Sequence, residues 1–149
     1  MGNYLVTGAA GFIGARTSEL LINDGHTVTG IDNMNDAYDP RMKEYRLEKL
    51  NIQKGFTFHR ADISHKDIIG LFEKKRFDGV INLAARAGVR FSVENPWIFV
   101  ESNVTGTLNM LEVCRKTGSG TFILASTSSI YGANPPYPTP ETATSSEPL

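Results

Sequence analysis

The sequence predicts an α/β fold, a doubly wound parallel sheet with helices on both faces. Three observations point there. Short, apolar, β-rich segments alternate with helix-patterned segments without a break, the order that βαβ units require. The first such segment runs directly into a glycine-spaced turn, TGAAGFIG. The chain has 149 residues with 40% hydrophobic and 21% charged content, enough for one domain with a real core.

Taken in order, Asn3 to Thr7 (NYLVT) reads as a buried strand, and Phe12 to Asn23 as a helix with Ile13, Leu20 and Leu21 on its apolar side. Gly25 stops it. Thr27 to Ile31 is the second strand. Pro40 to Leu50 is a charged surface helix with Met42, Tyr45, Leu47 and Leu50 as its apolar points. Phe56 to His59 is the third strand, and His65 to Lys75 a helix carrying Ile68, Ile69, Leu71 and Phe72. Gly79 to Ala84 (GVINLA) is the fourth strand. Trp97 to Lys116 is one long helix, with Val100, Val104, Leu108 and Leu111 at helical spacing. Thr121 to Ala125 is the fifth strand. From about Ala133 onward, Pro135, Pro136, Pro138, Pro140 and Pro148 stand among polar residues and mark a loop.

The bulk numbers exclude several functions. A net charge of −1 with no dominant basic stretch excludes a nucleic-acid partner. No apolar run is long enough to span a bilayer, and the N-terminus lacks the features of a secretion signal, so the expected location is cytoplasmic. Position 6 is Val6, which breaks a myristoylation motif after Met1-Gly2. The single cysteine, Cys114, sits in a helical stretch and reads as a small core residue. No metal site is expected.

Gly8, Gly11 and Gly14 follow the pattern G-x-x-G-x-x-G between a strand and a helix, the context a dinucleotide site needs. Gly8 turns the chain off the strand, Gly11 lets backbone N–H groups approach a pyrophosphate, and Gly14 lets the helix lie close to the sheet. The helix N-terminus, at Phe12 and Ile13, then faces the phosphates. Asp32 ends the second strand, 18 residues after Gly14. Its carboxylate accepts from adenosine ribose hydroxyls and repels a 2′-phosphate. No arginine adjoins it in the sequence, which favours NAD over NADP. Asn33 follows it at the same site. Asp62, after the third strand, lies near the adenine edge with Ile63 against the ring, or else caps a helix. Asn82 to Arg86 (NLAAR) ends the fourth strand. There Leu83, Ala84 and Ala85 let the cofactor pass close to the backbone, or simply pack helix on sheet.

Together TGAAGFIG, LAARAGVRFSVENPWIFVESNVTGTLNMLE and STSSIYG resemble the extended short-chain dehydrogenase/reductase family. Within it they are most similar to NAD-dependent nucleotide-sugar epimerases, the AGVR…S…NP stretch most resembling UDP-glucuronate 4-epimerases. The resemblance covers essentially the whole chain and implies a Rossmann-type fold and C4 epimerisation of a UDP-sugar. A tyrosinate takes the proton of the 4-hydroxyl while NAD takes the C4 hydride. The resulting 4-keto sugar rotates, and the hydride returns to its other face.

The family needs a Ser or Thr, a Tyr, and a Lys four residues after the Tyr. The resemblance places the first on Thr127, with Ser126 near the nicotinamide ribose and Ser128 and Ser129 along the sugar pocket. The alternative for this cluster is a turn with self-satisfied hydroxyls. Related 4,6-dehydratases carry an Asp-Glu pair where this chain has Ser128 and Ser129, which argues against dehydration. Arg86 and Arg90 are candidates for the anionic substrate or form surface ion pairs. Asn103 faces the site or solvent.

The sequence also departs from the family. Tyr131 is followed at +4 by Pro135, and the formal Tyr45/Lys49 pair lies on the charged surface helix. The catalytic Tyr and Lys, and the C-terminal substrate domain, are expected beyond Leu149, and the Rossmann domain is expected to be incomplete at 1–149. The resemblance further implies a homodimer through helix 97–116. The opposing reading is a stand-alone dinucleotide-binding module without catalysis. An encoding frame that continues past Leu149 into Y-x-x-x-K distinguishes the two.

Overall fold

A computed structural model of the chain describes residues 1–143. Five strands form one parallel sheet: β1 (Asn3–Thr7), β2 (Thr27–Asp32), β3 (Phe56–Arg60), β4 (Gly79–Asn82) and β5 (Thr121–Leu124). Their order is β3-β2-β1-β4-β5, the Rossmann arrangement. The order reverses beside β1, which opens a crevice at the carboxyl ends of the strands, where such sheets bind ligands.

The two-residue period of the strands divides the core. Leu5, Ile31 and Val80 face one side and join Ile68, Phe72, Phe77, Met110 and Val113. Val6 and Val28 face the other, with Ala9, Leu21, Ile22, Phe56 and Ile81. On the first side lie α3 (Ile68–Phe72) and α6 (Gly106–Thr117); on the second lies α1 (Phe12–Asn23), with α2 (Pro40–Asn51) beside it. Phe72 and Phe77 meet edge-to-face, ring centroids 5.7 Å apart, and both are fully buried.

Four elements differ from expectation. The helix expected over 65–75 shrinks to α3, because its approach uses i→i+3 turns, with Ile68 N–H donating to His65 O and Ile69 N–H to Lys66 O. The fourth strand stops at Asn82, because the next two N–H groups turn to the Thr7 hydroxyl. A short helix, α4 (Val89–Glu94), precedes Pro96 and buries none of its residues. The single helix expected over 97–116 is divided into α5 (Pro96–Phe99), a π-helical segment (Val100–Thr105) and α6. Trp97, Val100, Val104, Leu108 and Leu111 are exposed along it.

Ala133 to Ala143 holds no helix or strand, in keeping with its prolines; Pro148 and Leu149 lie outside the described residues. Among the described residues no helix is long and apolar enough to cross a membrane. Cys114 is half-buried and packs against the α3/α6 core, and burial pushes its thiol pKa up.

Candidate functional site

A cleft opens at the carboxyl ends of β1, β2 and β4. Gly8, Gly11, Asp32, Asn33, Asp62, Ile63, Leu83, Ala84 and Ala85 all line it. Gly8 turns the chain with φ +67°, and a Cβ there would meet Ala84 N at 3.1 Å. Gly11 precedes α1 in extended backbone, and no side chain caps the helix. The N–H groups of its first turn therefore stay available to an anion. Gly14 packs on the Gly8 carbonyl so closely that a Cβ would lie 2.8 Å from the Gly8 carbonyl carbon.

The floor is fixed by a buried polar network. The Thr7 hydroxyl donates to Asn82 Oδ1 at 2.6 Å and accepts from Leu83 N at 3.1 Å and Ala84 N at 3.0 Å. Asn82 Nδ2 donates to Thr107 Oγ1 at 3.1 Å, tying both strand ends to α6. Every hydrogen-bonding position of the Thr7 hydroxyl is filled. Thr7→Val is expected to strand two N–H groups beneath the cleft and lower stability by about 2–6 kcal/mol, at roughly 1–3 per orphaned buried group. Urea unfolding of the two proteins measures it.

Asp32 is buried, and its carboxylate is engaged on both oxygens. Oδ1 accepts from Met34 N at 2.8 Å and from Lys43 Nζ at 3.2 Å; Oδ2 accepts from Ala10 N at 3.2 Å. Lys43 comes from α2 and is itself buried. Its ammonium also donates to Asn35 Oδ1 at 3.1 Å and stands 5.4 Å from the Tyr38 ring centroid. The sequence shows no cation beside Asp32; the fold supplies one. A helix that reads as solvated turns this one lysine inward.

The segment after β2 is built from side-chain-to-backbone turns. Asn33 Oδ1 accepts from Asn35 N and Asn35 Oδ1 from Ala37 N. Asn33 Nδ2 donates to Asp62 Oδ2 at 2.7 Å. Asp62 caps no helix; it closes a turn by accepting from Ser64 N and Oγ. Burial pushes the Asp62 carboxyl upward, but these hydrogen bonds outweigh it and hold its pKa below the ordinary value. Ile63 lines the cleft yet is also a core residue, with Gly106 packed so tightly on it that a Cβ would lie 2.7 Å from Ile63 Cδ1.

The side chains of the remaining candidates do not line this cleft. The Phe12 and Ile13 side chains are exposed, so only their backbone faces the turn. Asn103, in the π-helical segment, commits both ends of its amide to Arg86: Oδ1 accepts from Arg86 N at 2.8 Å and Nδ2 donates to Arg86 O at 3.0 Å. It is therefore neither solvent-facing nor a cleft-lining residue, whereas its neighbour Ser102 does line the cleft. Arg86 Nε is buried with no hydrogen-bond partner among the described residues. Arg90 lies exposed on α4.

Ser126, Thr127, Ser128 and Ser129 are exposed beyond β5. Thr127 Oγ1 accepts from Ser129 N at 3.2 Å at the start of a 3₁₀ turn, Ser128–Tyr131, so the local geometry is that of a self-satisfied turn. Tyr45 and Lys49 pair along α2, Nζ 4.2 Å from the ring centroid, and border a separate groove against α1 and not the cleft. Sequence reading missed Ile31, Asn35, Ala37, Tyr38, Lys43, Ala61 and Ser102 among the lining residues.

The chain is similar in sequence and fold to known proteins. A UDP-glucuronate 4-epimerase of Thermodesulfobacterium geofontis is 52% identical over 139 residues, covering 92% of this chain and 43% of that protein. The Bacillus cereus UDP-glucuronic acid 4-epimerase, solved in complex with UDP-glucuronic acid and NAD, matches with a TM-score of 0.80 and 35% identity over 90% of this chain and 43% of that one. The UDP-Glc/GlcNAc 4-epimerase of Campylobacter jejuni matches with a TM-score of 0.84 and 29% identity over 100% of this chain and 44% of that one. The chain thus spans less than half the length of these relatives. A family model described as GDP-mannose 4,6 dehydratase matches residues 5–148, and the chain belongs to that family of short-chain dehydrogenase/reductase-type epimerases and dehydratases.

Proposed function

We propose that this chain is the NAD-binding part of a nucleotide-sugar 4-epimerase acting on UDP-glucuronate and UDP-galacturonate. The observation that carries the reading is the cleft itself. A glycine turn with positive φ at Gly8, an uncapped α1 N-terminus and the Asp32 carboxylate converge where β1 and β4 part. That combination suits a dinucleotide whose pyrophosphate sits on the helix and whose ribose lies toward Asp32. Bound NAD supplies a reversible hydride acceptor for C4 of the sugar.

The chain's own residues do the rest. The backbone from Gly8 to Gly14 holds the pyrophosphate, and Asp32 and Asn33 orient the adenosine ribose. Asp62 and Ile63 border the adenine. Leu83, Ala84 and Ala85 keep the middle of the cleft free of large side chains. Asn103 positions the backbone at Arg86, whose unpartnered buried Nε suits an anionic substrate oxygen; Arg90 is the second candidate for that charge. Ser126 to Ser129, with Thr127 in the catalytic role, border the sugar at the end of β5.

The substrate assignment is supported by the identity to UDP-glucuronate 4-epimerases, and a glucose/galactose epimerase is the runner-up. The dehydratase named by the family model is disfavoured by Ser128 and Ser129, which offer no acid/base pair. The exposed stripe from Trp97 to Leu111 supports the pairing of this helix in a homodimer of the intact enzyme.

Titrating the 149-residue chain with NAD tests the cofactor reading: saturable binding that ADP-ribose displaces is expected, and no binding overturns it. Assaying the enzyme that carries this segment with UDP-glucuronate, UDP-glucose and UDP-galacturonate tests the substrate. Interconversion of the two uronates faster than that of the hexoses is expected. Interconversion of only UDP-glucose and UDP-galactose selects the runner-up. NAD binding with no turnover of any nucleotide sugar favours a non-catalytic module.

A further inference from the structure

The carboxylate of Asp32 fills an anion hole that belongs to the fold and not to Asp32. Three donors converge on it from three separate segments: Ala10 N–H from the glycine turn, Met34 N–H from the segment after β2, and Lys43 Nζ from α2. Two are backbone groups, fixed by β1, β2 and the turns they lead into. Met34 reaches its place with φ +56°, a left-handed conformation that a non-glycine side chain rarely adopts. The third donor is buried, and its other identified acceptor is Asn35 Oδ1, a neutral oxygen. Among the described residues, Asp32 is thus the one anion in hydrogen-bond contact with this ammonium.

A second cation stands close by. Arg46 Nη1 donates to the Tyr38 hydroxyl at 3.1 Å and to Ala10 O at 3.4 Å. Its guanidinium lies 5.8 Å from the Tyr38 ring centroid, the ring that also carries Lys43. Arg46 lines a neighbouring groove against α1 and not the cleft, so Lys43 is the cation that enters the cleft beside Asp32.

We propose that Lys43 is a cofactor-specificity residue, and that the Asp32 side chain masks a latent phosphate subsite built from Ala10 N–H, Met34 N–H and the Lys43 ammonium. With Asp32 in place, Lys43 is neutralised, and the pair presents an acceptor and a spare ammonium proton to a vicinal diol. Rejection of a 2′-phosphate then rests on occupation of the hole more than on net negative charge. With the carboxylate removed, the same three donors face a void of carboxylate size lined by positive potential. A phosphate monoester fits that chemistry. The cofactor half of the inference rests on the dinucleotide reading above; the anion hole does not.

The experiment uses the full chain with Asp32→Gly, Lys43→Met and the double substitution, each followed by circular dichroism and thermal unfolding in formate, phosphate or chloride at equal ionic strength. Asp32→Gly is expected to be stabilised by formate and phosphate over chloride, or refolded by them where it is unfolded without them. The wild type and the double variant are expected to show at most the smaller phosphate response of the uncapped α1 N-terminus, which all the variants share, and no formate response. Titration with NAD and NADP is the second readout. Asp32→Gly is expected to shift the affinity ratio at least tenfold toward NADP, and adding Lys43→Met to abolish most of that shift.

Asp32→Gly with no formate or phosphate response overturns the anion hole. An equal response in the double variant removes Lys43 from it. A wild type that binds neither dinucleotide overturns the cofactor reading alone, because the anion response is measured without cofactor. A wild type that binds NAD, with an unmoved ratio in Asp32→Gly, overturns the specificity role alone.

Discussion

Gly14→Val is expected to abolish NAD binding and to destabilise the chain by about 3 kcal/mol or more, at the top of the range for overpacking because the clash is with backbone. Gly14 lies in the first turn of α1 and packs on the Gly8 carbonyl; a Cβ would also come within 3.1 Å of Ala9 Cα. Gly8 in turn packs on Ala84, where a Cβ would lie 3.1 Å from both Cα and N. Three backbone segments are stacked here with no side chain between them. A valine at 14 must push α1 off the turn, and the N–H groups of the first turn move with it. A flexible neighbour could rotate away, but a carbonyl held by the bond from Gly11 N to Gly8 O, 2.9 Å, cannot. Gly70→Ala is the control, since nothing lies within 4 Å of a Cβ there; it is expected to be neutral or stabilising by up to about 1 kcal/mol through helix propensity. Denaturant unfolding and NAD titration of both variants decide the matter. A Gly14→Val chain with wild-type midpoint and affinity would show that the close stack is dispensable.

The same stack explains why the glycine turn was legible in the sequence. Its requirement is steric and local, so it leaves glycines at fixed spacing between a strand and a helix. The sheet was legible for a similar reason: strands buried on both faces carry near-continuous apolar runs, as in LVT, TVTGI and GVIN. Lys43 left no such mark. On a helix whose neighbours are Arg41, Glu44, Arg46 and Lys49, one more cation reads as solvated, and only the approach of α2 to the end of β2 buries it. The π-helical segment was hidden because its cause is tertiary. Residues 97–116 have one helical pattern throughout, but the segment widens where Asn103 clasps the Arg86 backbone, the sort of local insertion that accompanies sites. The shortness of α3 and the presence of α4 follow from turn hydrogen bonds and from Pro96, where helical propensity is weak either way. Asp32 was legible as an acid at a strand end, but its three donors come from positions 10, 34 and 43, which only the fold brings together.

Lys43→Met is the second substitution with a large expected effect, and it tests whether α2 is held to the sheet by charge. The two side chains are each only 6% exposed and meet at 3.2 Å. Removing one partner leaves the other buried and unpaired, which costs about 3–5 kcal/mol where breaking such pairs has been measured, whereas removing both is often nearly neutral. The lower end is expected here, because Asp32 keeps Ala10 N–H and Met34 N–H and borders an open cleft. Asp32→Asn combined with Lys43→Met should therefore be more stable than Lys43→Met alone, with a coupling energy of about 1–3 kcal/mol, the size found for residues in one network. The location of the loss matters as much as its size. Apart from Lys43, Leu50 is the one residue of α2 that is buried, at the far end of the helix. With the lysine gone, the first turns of α2 and the segment from Asn33 to Asp39 are left with side-chain-to-backbone turns and the Arg46 contacts. Hydrogen exchange at Met34 and Ala37 should accelerate in Lys43→Met while exchange in β1 and β4 follows only the global loss. Additive single-variant effects, within about 0.5 kcal/mol, would mean that the Asp32–Lys43 pair does not hold α2, and that Leu50 and the Arg46 contacts do.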